Sequence, residues 1–209
     1  MDKISLNAQE PLTSKRVLGL ELPTDPRWVN LAEMDIREIL TDHAYCEQKA
    51  TTSCISLIQR YPERKELVEE VAPVVTEEWG HFRLVLRELE QRGYSLGRQR
   101  KDVYVNKLRQ FVRRGGNRDH QLLDELMVCA MIEARSCERF RLLSLHIKEE
   151  ALKSFYHKFM VSEAGHYKMF LSLGKRYFGE SVALERWAEM LAYETEVLAS
   201  LELRGDRMH

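Results

Sequence analysis

Four glutamates that fall inside apolar helical stripes constrain this chain more than any other feature. Two of them open a Glu-x-x-His element, in EEWGHF (residues 77–82) and again in SEAGHY (residues 162–167). At seven-residue spacing Glu47 shares a line with Leu40, Cys54 and Tyr61, and Glu133 shares one with Leu126, Phe140 and Ile147. Glu163 falls on the line Tyr156, Phe170, Tyr177, with His166 between Phe159 and Leu173 on the next. Glu78 lies among Val71, Val75, Phe82 and Val85. Such a stripe faces a core, where a lone charge is strongly destabilising. The fold must therefore bring the four carboxylates together around something positive. Glu77 competes with Glu78, but only Glu78 has the right offset to His81 and a partner in the second segment. Replacing Glu77 is accordingly expected to be much milder than removing either histidine.

The rest of the chain reads as helix. All five prolines lie at or before Pro73, and no stretch sustains the alternation of a strand. Residues 1–25 read as an irregular arm. A first long helix is expected from DPRW to before Pro62, with Pro26 in its first turn. A second covers about 64–92, kinked or restarted at Pro73. A basic excursion over 93–118 follows, with a short helix at VYVNKLRQFVRR. A third helix runs from an Asp119 cap to about 147, a fourth over 149–177, and a fifth after Gly179 with Ser181 as cap. AYCEQKA (44–50) resembles AMIEARS (130–136) at an offset of 86, and the two Glu-x-x-His segments repeat at 85. Helices one and two thus echo helices three and four, which predicts an all-α bundle of two similar hairpins plus additional helix.

Two divalent metals supply four positive charges against four carboxylates. A glutamate from each of two helices plus Glu-x-x-His from the other two is the di-iron or di-manganese carboxylate pattern. At i and i+3, Glu and His share a helix face and reach one ion. The expected ligands are Glu47, Glu78, His81, Glu133, Glu163 and His166. Carboxylate-rich shells with two imidazoles suit iron or manganese better than zinc or copper; spacing does not separate the first two. Gly80 and Gly165, each costly inside a helix, are expected to leave room beside the metal or admit a neighbouring helix. His43, one turn before Glu47, is a packed or outer-shell residue. The competing reading pairs the buried glutamates with Arg135, Arg139 or Lys49. Arg135 and Lys49 stand two positions after their glutamates, on nearly the opposite face.

The net charge of −1 conceals an uneven distribution. Residues 92–119 carry nine Lys or Arg and two Asp, a local charge of +7. Such a block is either a polyanion-binding surface or a solvated loop paired to the acidic remainder. The N-terminal residues lack the apolar run of a signal peptide, and no stretch reaches transmembrane length. Cys46, Cys54, Cys129 and Cys137 have no zinc-type spacing and are expected as reduced core residues of a cytoplasmic protein.

The ligand set resembles the ferritin-like superfamily. The text around it (TDHAYCEQKATTSCISLI, EEWGHFRLVLRELEQRGY, EARSCERFRLL, SEAGHYKMFLSL) resembles the bacterial tRNA hydroxylases that act on 2-methylthio-N6-isopentenyladenosine. The likeness covers roughly residues 28–200 and includes the basic excursion. It implies a ferritin-like helical domain over 26–209 and two iron ions. It also implies a dioxygen-dependent monooxygenase that hydroxylates the isopentenyl chain with two electrons from an outside donor. The tRNA partner would meet Arg98, Arg100, Lys101, Lys107, Arg109, Arg113, Arg114 and Arg118, with Tyr94 and Tyr104 as stacking surfaces. The alternatives are an iron-storage or ferroxidase protein, which needs a cage assembly, a peroxide-metabolising ferritin-like protein, and a metal-free bundle.

Overall fold

The computed structural model describes residues 18–209, and its described residues form helices and loops without strands. The irregular arm expected at the N-terminus lies largely outside the described residues. Four long helices make the bundle: α2 (Ile36–Arg60), α3 (Lys65–Gln91), α5 (Arg118–His146) and α6 (Glu150–Phe178). Short α1 (Arg27–Glu33) precedes them, α4 (Val103–Leu108) sits in the excursion, and α7 (Glu180–Ala199) follows. Loops of a few residues join α2 to α3 and α5 to α6, so each pair is an antiparallel hairpin. Across the hairpins α3 runs against α6: the Leu67 N–H donates to the Tyr177 hydroxyl at one end, and Arg92 meets Glu149 at the other. This is the ferritin-like four-helix bundle with additional helices. No helix among the described residues is long and apolar enough to cross a membrane.

Several local expectations are corrected. The first long helix is two helices, because the Asp35 carboxylate accepts the Glu38 N–H at 3.1 Å and starts α2 afresh. Helix α3 continues through Pro73 without restarting. The cap of α5 is Asn117, whose side chain accepts the Asp119 N–H. The last helix starts from Gly179 at φ +86°, a left-handed turn that favours glycine and reverses the chain after α6.

The apolar core comes in two parts. One gathers Leu57, Leu67, Val71, Leu126, Met131, Phe170 and Trp187; the other gathers Trp28, Leu40, Val85, Phe140, Tyr156 and Phe159. Glu47, Glu78, Glu133 and Glu163 lie between them, each with one cluster before it and the other after it along its own helix. Full burial of one such aromatic or aliphatic side chain contributes roughly 1.5–3 kcal/mol. The two clusters thus hold in place a polar layer that is costly by itself.

Away from that layer, a second buried polar network ties the accessory pieces to α5. Arg135 spans Glu138 (2.5 Å) and Glu194 of α7 (2.9 Å), and the Tyr104 hydroxyl donates to Glu194. Thr24 donates to Glu138 through both its N–H and its hydroxyl. The last residues fold back over α1 and α2: the Met208 N–H donates to Asp42, and a Cβ on Gly205 would overlap the backbone of Leu31.

Candidate metal centre

All six expected ligands converge. Their donor atoms form two groups, Glu47–Glu78–His81–Glu163 and Glu78–Glu133–Glu163–His166, with the atoms of each group within 4.8 Å of one another. Glu78 and Glu163 belong to both groups, so the glutamate of each Glu-x-x-His element stands between two sites. Glu78 is 1 % exposed, and the other three glutamates are also buried. Each imidazole turns Nδ1 inward: that of His166 lies 2.8 Å from Glu78, and that of His81 lies 3.3 Å from Glu47.

The donor set fits a pair of divalent ions. No Arg or Lys among the described residues pairs with any of the four carboxylates. Arg135 serves Glu138 and Glu194 instead, Lys49 serves Asp102, and Arg139 lies over the Trp28 ring. The reading in which basic residues neutralise the glutamates therefore fails. Glu47 Oε2, Glu78 Oε1, Glu163 Oε1 and both Nδ1 atoms are buried without a hydrogen-bond partner among the described residues. His166 Nδ1 and Glu78 Oε1 are close, yet their angles are not those of a hydrogen bond. Atoms aimed at a shared point rather than at each other are what metal ligands present.

Without metal the cluster holds protons. Burial, reinforced by the charges of Glu78 and Glu163, pushes Glu47 well above the usual carboxylate range. Burial and Glu163 do the same to Glu133. Burial opposes charge on His166 and His81, but the neighbouring carboxylates win: His166 rises to about 11 and His81 rises as well. Burial would raise Glu78 too; the neighbouring His166 and His81 rings instead draw it down to about 2. Protons here occupy the role that metal would take.

His43 touches one of these carboxylates. Its Nε2 lies 2.8 Å from Glu47 Oε1, and the ring is fully buried among Phe140, Phe155, Tyr156 and Phe159. Burial holds it well below the usual histidine range, so it stays neutral. A Cβ at Gly80 or Gly165 would meet nothing within 4 Å among the described residues, so neither glycine serves to admit a neighbouring helix. A third donor group, Cys46–Asp102–His209, is no rival centre. Lys49 already neutralises Asp102, burial raises the Cys46 thiol, and the His209 ring is held by Ser136 at 2.9 Å.

A cavity of about 730 Å³ reaches the centre. Its buried end carries the four carboxylates; its exposed end carries Arg109 and Arg114 from the basic excursion. A second cavity, of about 840 Å³ beside the tail, contains none of the four. The basic residues divide into two kinds. Arg113 is bound to fully buried Asp124 (2.7 Å), and Arg100 to Asp206 (2.6 Å) and Glu38 (2.9 Å). Arg118 pairs with Glu63 and lies over Tyr61. Lys107 and Arg109 donate only to serine hydroxyls, and Arg98, Lys101 and Arg114 form no ion pair among the described residues. Tyr94 is exposed, whereas Tyr104 is buried under Glu194 and cannot stack on a base. Arg60, from the end of α2, also lines the cavity, and no sequence signal marked it.

Known proteins resemble this chain in both sequence and fold. A family model described as tRNA-(MS[2]IO[6]A)-hydroxylase (MiaE) matches residues 12–209. A Pseudomonas putida protein named tRNA 2-(methylsulfanyl)-N(6)-isopentenyladenosine(37) hydroxylase is 38% identical, with 87% of each chain covered. A Salmonella typhimurium protein of the same name is 25% identical over 90% of this chain and 85% of its own. Among solved structures, a Synechococcus protein described as having aldehyde deformylating oxygenase activity superposes with a TM-score of 0.86. It is 32% identical and covers 91% of this chain and 94% of its own.

Proposed function

The chain belongs to the tRNA-(MS[2]IO[6]A)-hydroxylase family, and from that premise we propose how its residues carry the reaction. It is an enzyme that hydroxylates the isopentenyl group of 2-methylthio-N6-isopentenyladenosine in tRNA. Two iron ions are held by Glu47, Glu78, His81, Glu133, Glu163 and His166. The chemistry supplied by two bound ferrous ions is reductive activation of dioxygen, so that one oxygen atom enters a C–H bond and the other leaves as water. That balance requires two electrons and two protons, and the electrons come from an outside donor.

The protein's own residues do the positioning. His43 holds Glu47, and the four rings around it keep water from that side of the carboxylates. From the other side the 730 Å³ cavity admits a group of nucleoside size. Leu57, Val128, Ile132 and Phe170 line it and suit a prenyl tail. Arg109 and Arg114 neutralise phosphates near the opening, with Arg98, Lys101, Lys107 and Arg118 as further contacts and exposed Tyr94 as a stacking surface. Arg100 and Arg113 hold the excursion folded.

One observation carries the reading: the carboxylates share a single cavity with Arg109 and Arg114, which form no ion pair among the described residues. The test is incubation of the iron-loaded, reduced protein with tRNA bearing or lacking the isopentenyl group, followed by nucleoside mass analysis. A gain of one oxygen atom in the prenylated nucleoside alone is expected. Bound prenylated tRNA that stays unchanged would contradict the assignment.

A further inference from the structure

The two histidines of the centre share one outer partner. Glu77, half exposed beside buried Glu78, reaches across from α3 to α6. Its Oε2 lies 3.2 Å from His166 Nε2, within hydrogen-bond range. Its Oε1 accepts the Ser162 hydroxyl and stands 3.9 Å from His81 Nε2. Glu77 and Ser162 occupy equivalent places in the repeat, each just before the glutamate of its Glu-x-x-His, and they meet where the hairpins face each other. Both imidazoles therefore present Nδ1 to the carboxylate layer and Nε2 to a single carboxylate.

We infer that Glu77 is a positioning residue for both histidine ligands. An imidazole that binds metal through Nδ1 must carry its proton on Nε2. A carboxylate accepting that N–H fixes the tautomer, stops the ring from turning and makes Nδ1 a better donor. Ser162 occupies one oxygen of Glu77, which leaves the other aimed at His166. The contact to His81 is longer and acts through charge. Glu77 binds no metal itself, which distinguishes it from Glu78. The inference rests on the metal-centre reading.

The full-length protein serves as its own test, as wild type, Glu77→Ala and Glu77→Gln. Iron(II) affinity is measured anaerobically against a competing chelator, and coordination geometry by the ligand-field spectrum of the cobalt(II)-loaded protein. Losing such an outer partner weakens metal binding about 10–100-fold. Glu77→Ala should show that loss and an altered cobalt spectrum, while metal-free stability falls by less than the loss of metal affinity. Glu77→Gln should recover part of the affinity, because its amide oxygen still accepts one N–H. Wild-type affinity and spectrum in Glu77→Ala overturn the inference. So does a glutamine variant no better than alanine, or a loss matched by an equal fall in metal-free stability. A wild-type chain that takes up no iron overturns the centre and this inference together; the variants overturn the inference alone.

Discussion

Loading the centre with divalent metal should expel protons, and the structure sets how many. In the metal-free core four of the six ligands hold a proton more tightly than they would in water: Glu47, Glu133, His81 and His166. Those four protons carry the charge of two divalent ions, so metal and protons are alternative ways to neutralise one buried layer. Binding two ferrous or manganous ions at pH 7 should therefore release between two and four protons per chain. Anaerobic calorimetric titration in buffers of differing ionisation enthalpy measures the number directly. Release of fewer than one proton would refute the reasoning, because the carboxylates would then tolerate full charge without metal. The sign of the stability dependence follows. A carboxyl raised above 4.5 in the fold stabilises it below that pH, and the contribution is lost as pH climbs through the folded value. His166 behaves alike between 6.5 and about 11. Glu78, drawn down from 4.5 to about 2, contributes above 4.5 and loses its contribution toward pH 2. Between pH 5 and 9 the metal-free protein should thus lose stability as pH rises, and the loaded protein should change less.

Four further outcomes are expected. Arg135→Ala leaves Glu138 and Glu194 without their shared cation and should cost about 3–5 kcal/mol in denaturant unfolding. Gly165→Ala meets no neighbour and should stabilise by up to about 1 kcal/mol in the same measurement. Arg109→Ala with Arg114→Ala should flatten the log–log salt slope of tRNA binding by about 0.7–0.9 per lost phosphate contact. Arg113→Ala should instead lower fold stability, because it strips a partner from buried Asp124.

The convergence of the six residues is legible largely because the four glutamates and His166 interrupt apolar stripes, and periodicity reports burial wherever the residue sits. The break at Met34–Asp35 is not, since Val29, Ala32, Ile36, Ile39 and Leu40 keep a helical period straight through it. Only the Asp35 side chain, turned onto the Glu38 N–H, decides the boundary. Pro73 misled in the opposite sense: its N–H is lost and α3 persists, held by Val71 and Val74 in the core. The basic excursion shows the limit most clearly. Arg113 and Arg114 are adjacent and chemically identical, yet the first is tied to Asp124 on α5 while the second faces the cavity. Tertiary placement separates them. In the sequence Glu77 reads only as a rival ligand; its contact with His166 on another helix leaves no mark in local spacing.

The fate of the oxygen atom tests the hydroxylase assignment most directly. The iron-loaded protein is given reductant and tRNA carrying 2-methylthio-N6-isopentenyladenosine under isotopically labelled dioxygen, and the nucleoside is weighed by mass spectrometry. One labelled oxygen atom is expected in the isopentenyl chain, and none when the label is in water instead. Dioxygen consumed with tRNA bound and no label in the nucleoside would contradict the assignment.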